Sequence, residues 1–492
     1  MPTRIRPVRP AAAGHAGRAA GGAATALLAA AALLAPAAAP AAADTRAAAR
    51  GHGPGFTPGA PGGGDPYFPE EGNGGYDVRH YDLALDYDPA SNALAATARI
   101  TARATQNLSR FDLDLKQLTV KSVQVDGRSA AFTRKGQELV VTPRKGLRKG
   151  AGFTVTVAYA GTPKPVERPD IGTFGWIRTP DGAYVVCEPD GASTWFPSND
   201  HPQDKATYTY RVTVPEGTQV LSNGEPGGQT TRGGKSTFVW NERSPMASYL
   251  AMLAIGKYTV QKGRTQGGVP VITAVAPNRA SELKTIHEKT IQAVDWEEKV
   301  FGRYPFASTG GIRVGVDVAF SLETQSRPIY GYEPDTPTIV HELSHQWFGD
   351  SVSVRRWKDI WLNEGFATYA EWLWDEQHGG PTAQATFDDL YKQPESWTYY
   401  KELWLNRKTG DPGANELFTL TPYWRGGMTL QALRGRIGDK AFFALLKTWT
   451  RLHRNGNATT EQFIALAEKI SHKQLDGLFH AWLYTKTKPK SW

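Results

Sequence analysis

Two neighbouring segments, HELSHQWFGD at residues 341–350 and WLNEGFATYAEWLW at residues 361–374, decide the fold of the second half of this chain. The first segment opens with an H-E-x-x-H pattern from His341 to His345. Residues four apart lie on one face of a helix, so both imidazoles point the same way. This spacing suits two nitrogen ligands of a single Zn²⁺ ion.

The residue between the two histidines has a different expected role. Glu342 lies one position round the helix from His341, so its carboxylate can reach a water molecule beside the metal. The helix itself is predicted to begin near Asp335 and Pro337 and to end at Gly349.

The second segment supplies the expected third ligand, Glu364. Its apolar residues share one helix face, which would pack this helix against the first: Phe366, Tyr369, Ala370 and Leu373. Two histidines and one glutamate leave one coordination position open, which is typical of a catalytic zinc site. The alternative is that Glu364 is a surface acid on an ordinary helix.

The chain upstream has the alternating pattern of β-strands. Tyr81, Leu83, Leu85 and Tyr87 alternate with polar or small residues, and turn signals recur between later stretches of the same kind. Residues 76–262 are therefore predicted to form an antiparallel β domain. Residues 263–492 have mainly helical periods, including a capping pattern that starts at Thr459. The predicted fold class is α+β with two domains.

Residues 1–43 match a secretory signal peptide. They contain four arginines and no acid, an apolar run over residues 26–35, and small residues before a predicted cleavage after Ala43. A Gly/Pro-rich stretch over residues 44–75 is predicted to be a flexible linker. The protein is therefore expected to be secreted.

Charge and cysteine content exclude several classes of protein. The net charge of +8 includes the four arginines of the predicted signal peptide, and no cluster of cations elsewhere favours a nucleic-acid partner. A single cysteine, Cys187, excludes an internal disulfide framework and is not placed for lipoprotein anchoring. No other segment approaches spanning length, so no stable membrane anchor is expected.

Three further segments complete a resemblance to the aminopeptidase-N family of gluzincin zinc metallopeptidases. AFSLETQSRPIY resembles the family's exopeptidase motif G-x-M-E-N and places Glu323 on the motif's glutamate. TPYWRGG places Tyr423 on the catalytic tyrosine. CEPDGASTWFPSNDHPQDKATY places Glu188 on the acid that binds the substrate amine.

The resemblance implies a thermolysin-like catalytic domain with one Zn²⁺ per chain. It implies hydrolysis of the N-terminal bond of peptides with a free N-terminus, with Glu342 as general base and Tyr423 as oxyanion donor. Glu323 and Glu188 would bind the substrate's α-amine. The chain resembles a short secreted form without the family's helical C-terminal domain.

Several positions depart from the family pattern. Phe320, Leu322 and Thr324 replace the glycine, methionine and asparagine of G-x-M-E-N. Val186 stands where the family often has glutamine, and Arg425 replaces the lysine of Y-x-K-G. These departures concern substrate contacts and leave the zinc motif unchanged.

Other functions are compatible with the same motif. A gluzincin endopeptidase and an epoxide hydrolase could use the same zinc site, although Glu323 favours an aminopeptidase. A catalytically inactive secreted binding protein on this scaffold is disfavoured because Glu342, Tyr423 and all three candidate ligands are present.

Overall fold

A computed structural model describes residues 55–491. The predicted signal peptide and the first part of the predicted linker lie outside these residues. A mainly β N-terminal domain is followed by a helical region, which confirms the predicted fold class. Between residues 55 and 491, no helix is both long and apolar enough to cross a membrane.

The N-terminal domain is built from seventeen strands in the described part of the chain. They are β1 (Thr57–Pro58), β2 (Tyr76–Asp88), β3 (Ala93–Ala104), β4 (Leu108–Asp114), β5 (Thr119–Val125), β6 (Arg128–Ser129), β7 (Ala131–Lys135), β8 (Glu138–Thr142), β9 (Gly152–Gly161), β10 (Val166–Arg168), β11 (Gly172–Arg178), β12 (Ala183–Val186), β13 (Lys205–Pro215), β14 (Gln219–Ser222), β15 (Glu225–Arg232), β16 (Lys235–Ala247) and β17 (Leu253–Gly256).

The largest sheet has the strand order β15-β16-β13-β2-β3-β9-β5-β6. The alternating residues of β2 that were predicted to face the core are all buried: Tyr81, Leu83, Leu85 and Tyr87. The sheet differs from the predicted antiparallel arrangement at one pair, because β13 runs parallel to β2. Parallel neighbours need a long connection, and the many residues between these strands provide one.

A smaller sheet has the strand order β10-β11-β12-β17-β14, and its strand β12 leads to the residues of the β domain that reach the second half of the chain. Strand β12 is buried along its whole length and pairs with β11 on one side and β17 on the other. The chain leaves β12 at Val186 and continues directly into Cys187 and Glu188. The sheet therefore fixes the place at which Glu188 emerges.

Residues 55–75, which we call the N-terminal strap, differ from the predicted flexible linker. Asp65 is 2% exposed, and its carboxylate accepts hydrogen bonds from the backbone N–H of Trp357 at 2.8 Å and of Tyr67 at 2.9 Å. The same carboxylate lies 3.2 Å from His201 Nε2. The strap is ordered because buried polar contacts with both domains compensate for its high glycine content.

The second half contains the remaining strands and the α-helices. These strands are β18 (Thr259–Arg264), β19 (Pro270–Val275), β20 (Thr309–Arg313), β21 (Ser321–Leu322), β22 (Ile329–Tyr330), β23 (Val352–Val354) and β24 (Gly456–Ala458). The helices are α1 (Leu283–Phe301), α2 (Thr336–Ser344), α3 (Trp361–Gln377), α4 (Ala383–Lys392), α5 (Gly426–Ile437), α6 (Asp439–Leu452), α7 (Thr460–Ser471) and α8 (Asp476–Leu483). The predicted boundary between residues 262 and 263 falls inside β18.

The observed ends of helices α2 and α7 can be compared with the helix boundaries predicted from the sequence. Helix α2 begins with an aspartate cap, in which the Asp335 carboxylate accepts the backbone N–H of Thr338 at 2.9 Å. This helix ends at Ser344 and not at the predicted Gly349, because the chain turns tightly before Gly349 adopts a φ of 133°. The predicted capping box of α7 is present between Thr459 and Gln462.

Helix α3 meets the start of α5 at two glycines. A Cβ atom built on Gly365 would lie 2.8 Å from Gly426 Cα, and one built on Gly426 would lie 2.7 Å from Gly365 Cα. Both distances are too short for a side chain at either position. The contact fixes the turn at Thr421–Arg425, which leads into α5 and carries Tyr423.

We predict that Gly426→Ala forces the two helices apart and costs about 1–3 kcal/mol of stability. Gly435→Ala on the same helix is the matched control, because apart from its chain neighbours and its own helix backbone no atom of the described residues lies within 4 Å of the added methyl group. That control should gain stability, since alanine favours a helix over glycine. Denaturant unfolding of both variants measures the difference, and equal stability of the two would contradict the packing argument.

Candidate active site

Three predicted ligands meet between α2 and α3. His341 Nε2 lies 3.3 Å from Glu364 Oε2, and His345 Nε2 lies 3.5 Å from the same oxygen. The three potential ligand atoms are all within 4.8 Å of one another, and all three residues are buried. The helix packing therefore brings the glutamate of α3 to the two histidines, as the sequence predicted.

The other ring nitrogen of each histidine is also engaged. His341 Nδ1 lies 2.6 Å from Glu371 Oε1, and His345 Nδ1 lies 3.0 Å from the carbonyl oxygen of Phe348. An acceptor at Nδ1 keeps the proton there and turns the Nε2 lone pair towards Glu364. Sequence reasoning missed Glu371, although its position two turns after Glu364 on the same helix face could have indicated it.

The donor set fits a zinc ion. Two imidazole nitrogens and one carboxylate oxygen converge from rigid helices, and they leave room for a fourth ligand as catalytic zinc sites require. The outer contacts made by Glu371 and Phe348 orient the donors in the way that metal-binding histidines need. His341, His345 and Glu364 would thus hold the ion.

The charged forms of His341, His345 and Glu364 stabilise one another. Burial opposes ionisation of Glu364, but the charge of His345 and hydrogen bonds from both imidazoles outweigh it and lower the pKa of Glu364 to about 2. Burial also disfavours a charged His345, yet the nearby carboxylates of Glu323 and Glu364 raise its pKa to about 9. These pKa shifts belong to the imidazolium form, in which both ring nitrogens carry a proton; a metal ion at Nε2 would replace that proton and supply the positive charge instead.

Glu342 faces the same space from α2. One of its oxygens lies within 4.8 Å of ligand atoms of Glu323 and His345. Burial raises the pKa of Glu342 to about 8, although the charges of His341 and His345 lower it. A carboxyl group with a pKa near neutrality can both accept and return a proton.

Tyr423 reaches the site from the turn before α5. This turn, Thr421–Arg425, is a single π-helical turn, a feature that often occurs at functional sites. The Tyr423 ring stacks on His341 with centroids 5.9 Å apart and planes inclined by 11°. Burial, together with the charge of Glu364, raises the pKa of Tyr423 well above its usual range, so its hydroxyl group stays a hydrogen-bond donor.

Glu188 and Glu323 complete the acidic side of the site. Oxygens of Glu188, Glu323 and Glu364 all lie within 4.8 Å of one another. Burial, followed by the charge of Glu323, raises the pKa of Glu188 well above its usual range. One oxygen of each of Glu188 and Glu323 is buried without a hydrogen-bond partner among the described residues. A cation placed between them would satisfy both oxygens.

Hydrogen bonds hold both ends of the loop that carries Glu323. Gln346, just after α2, donates to the Glu323 carbonyl at 3.1 Å and accepts from the Ser326 backbone N–H at 2.7 Å. The Thr324 hydroxyl donates to the Arg327 carbonyl at 2.6 Å and closes the turn. Thr324, a departure from the family motif, thus has a structural role here.

The site opens into a cleft between the two domains. Apolar side chains from both domains line it, including Phe174, Val186, Phe320, Leu322 and Phe418. The departures at positions 186, 320 and 322 therefore reach the cleft. Arg425 does not: it is fully buried, and its guanidinium group donates to the carbonyl oxygens of Ala481 at 3.0 Å and Thr487 at 3.2 Å.

Cys187, next to Glu188, is buried. Its thiol donates to the Ala251 carbonyl at 3.3 Å and accepts from Trp195 Nε1 at 3.4 Å. Burial raises the pKa of the Cys187 thiol well above its usual range, so the reactive thiolate is disfavoured.

Two histidines on one helix, a glutamate on the next and a carboxylate beside them define a site of the metallopeptidase class. The family models agree with this class and with the division of the chain. Residues 78–250 match the peptidase M1 N-terminal domain, and residues 317–482 match the peptidase family M1 domain. The chain belongs to peptidase family M1.

Solved structures with the same fold cover nearly the whole molecule. An M1 zinc metallopeptidase from Deinococcus radiodurans is 30% identical, with a TM-score of 0.80, and the match covers 87% of this chain and 99% of that one. A mutant of that protein bound to the substrate Tyr-Ser-Ala matches with the same identity and TM-score.

Longer relatives match over part of their length. Probable aminopeptidase 2 from Sulfurisphaera tokodaii is 26% identical over 436 residues, which are 82% of this chain and 53% of that protein. Aminopeptidase N from Streptomyces lividans is 28% identical over 61% of this chain and 38% of its own length. The chain thus spans about half the length, or less, of these relatives.

We predict that Glu371→Gln weakens zinc binding about 10–100-fold, because the amide no longer accepts the His341 proton as a carboxylate does. Competition with a chromophoric chelator measures the dissociation constant. Asp389→Asn, an exposed acid on α4, is the matched control and should bind zinc as the unaltered protein does. Equal affinity of the two variants would show that Glu371 does not orient His341.

Proposed function

We propose that this protein is a zinc-dependent aminopeptidase, which removes the N-terminal residue of peptides. The observation that carries the proposal is the position of Glu188 and Glu323. Their oxygens lie within 4.8 Å of Glu364, so an amine bound between them is held one residue's length from the metal ligands. The similar Deinococcus metallopeptidase and the names of the longer relatives support the same activity.

The charge of the cleft favours a substrate with a free α-amine. Five glutamates line it, and no lysine or arginine does in the part of the chain that the structure describes. An α-ammonium group donates charge-assisted hydrogen bonds to carboxylates, and Glu188 and Glu323 each have a buried oxygen free to accept one. An endopeptidase has no such group to bind, so the pair favours cleavage at the N-terminus.

Glu342 is the proposed general base. Zinc, when bound, supplies Lewis acidity that makes water more acidic and polarises a carbonyl group. Glu342 accepts the proton of the attacking water and then donates it to the leaving amine.

Tyr423 is the proposed oxyanion donor. Its hydroxyl group is protonated, and its ring is held parallel to His341 beside the metal ligands. A donor fixed in place before the reaction stabilises the negative charge that develops on the scissile carbonyl oxygen, a contribution of about 2.7–4 kcal/mol for comparable donors.

We predict that Glu342→Gln abolishes turnover but retains bound zinc, because the amide has similar shape and no basic oxygen. Zinc content by atomic absorption and rates on an aminoacyl-aminomethylcoumarin measure the two properties separately. A chelator should remove activity from the unaltered protein, and added zinc should restore it. A Glu342→Gln protein with undiminished turnover would exclude this residue as the base.

We predict that acetylation of the substrate's N-terminus prevents cleavage, because the acetylated nitrogen carries no charge for Glu188 and Glu323 to bind. Glu323→Gln should raise the KM for the free-amine substrate at least about tenfold, as expected from losing a hydrogen bond to a charged group. Glu167→Gln, an exposed acid of the β domain, is the control. Comparable rates on blocked and free peptides would indicate an endopeptidase instead.

We also propose that the protein is secreted, with cleavage after Ala43. The basic head, apolar run and small residues of the N-terminal sequence support this proposal. Mass spectrometry of protein collected from the medium of the expressing cells should find Asp44 as the N-terminal residue. Retention of the full chain inside the cells would contradict it.

A further inference from the structure

A second group of buried oxygen ligands lies in the β domain, away from the catalytic cleft. Asp114 ends β4 and is paired in register with Glu138 at the start of β8. Asn73, from the N-terminal strap, donates its side-chain N–H to Asp114 Oδ2 at 3.1 Å. Three segments that are distant in sequence therefore meet at these three side chains.

These side chains have oxygens without hydrogen-bond partners among residues 55–491. The free atoms are Asn73 Oδ1, Asp114 Oδ1 and both oxygens of Glu138. Asn73 is 4% exposed, Asp114 is fully buried and Glu138 is 7% exposed. A buried oxygen without a donor costs free energy, so four of them in one place indicate that a further group is required there.

Among residues 55–491, no lysine or arginine forms an ion pair with either carboxylate, although the charge of Lys116 acts on Asp114 and that of Arg134 on Glu138 from a greater distance. Lys116 Nζ lies 2.5 Å from Asp190 and 3.5 Å from Glu71, so its charge is already shared by two other acids. In the described part of the chain, Asp114 Oδ2 accepts hydrogen bonds from two neutral donors, the Asn73 side chain and the backbone N–H of Asp200, the latter at 2.8 Å. Burial, followed by the charges of Asp112 and Glu71, raises the pKa of Glu138 to about 8, although weak hydrogen bonding with the Asn73 and Asp114 side chains lowers it.

We propose that Asn73, Asp114 and Glu138 bind a calcium ion. Carboxylate and amide oxygens are the ligands that Ca²⁺ prefers, and calcium tolerates the irregular geometry that three separate segments provide. The amide oxygen of Asn73 has no hydrogen-bond partner among the described residues. It would add a neutral ligand to the two carboxylates of Asp114 and Glu138. Water molecules would complete the six to eight ligands that calcium takes.

The ion would join the strap to the β domain. Asn73 also donates its backbone N–H to Asn199 Oδ1 at 2.5 Å, and Asn199 precedes Asp200 in the loop that follows Glu188. A cation at Asp114 thus connects the strap, two strands and this loop. Its expected effect is on stability, and it does not depend on the proposed catalytic activity.

The test uses the zinc-loaded protein after calcium has been removed on a chelating resin and the zinc content has been confirmed. Terbium replaces calcium at oxygen sites and luminesces when a nearby tyrosine absorbs. Burial is the main cause that raises the pKa of Tyr76, and the charges of Asp114 and Glu138 raise it further. Tyr76 is therefore close to both carboxylates. We expect sensitised terbium emission that saturates at one ion per chain and that calcium displaces.

Calcium at about 100 times its dissociation constant should also raise the thermal midpoint by a few degrees. Glu138→Gln and Asp114→Asn should lose both the emission and the calcium-dependent shift, whereas Glu167→Gln and the catalytic-site variant Glu188→Gln should keep them. No calcium effect on the unaltered protein would overturn the proposal. So would stabilisation by Glu138→Gln without calcium, since it would show that Asp114 and Glu138 share a proton instead.

Discussion

The close approach of Gly365 and Gly426 is the constraint on which the site depends. Glu364 precedes the first glycine, and Tyr423 lies one turn before the second, so the backbone contact sets the distance between a metal ligand and the tyrosine. Interiors are packed as densely as crystals, and they do not absorb an added methyl group at a backbone contact without moving the elements that meet there. The chemistry of the cleft is therefore determined by a contact between two residues that have no functional groups.

Local patterns in the sequence predicted the parts of the structure that local physics determines. The spacing of His341 and His345 follows from helix geometry, and the alternation in β2 follows from its one-sided burial. Glu371 was missed because its role depends on a contact across two helices. The parallel pairing of β2 with β13 was missed for a similar reason, since strand order is a property of the assembled sheet. The early end of α2 reflects a tight turn after His345 that the H-E-x-x-H pattern does not encode.

Buried carboxylates are the common theme of both domains. Removing a carboxylate from water is costly unless a cation or several donors replace the solvent. In the catalytic cleft, a metal ion held by the two histidines and Glu364, and a substrate amine between Glu188 and Glu323, would balance the buried acids. In the β domain, Lys116 forms ion pairs with Glu71 and Asp190, whereas no lysine or arginine of residues 55–491 forms an ion pair with Asp114 or Glu138. The same electrostatic requirement therefore links substrate recognition in one domain with cation binding in the other.

The N-terminal strap has a consequence for how this architecture can be recombined. Asp65 contacts His201 of the β domain and Trp357 of the helical region through a single carboxylate, and Glu188 enters the cleft from the β domain. The two domains are thus not interchangeable modules. A chimera made by exchanging one domain with that of a relative would need a strap that fits both domains. A crossover point near residue 78, where the match to the M1 N-terminal domain begins, would separate the strap from the strands that it contacts.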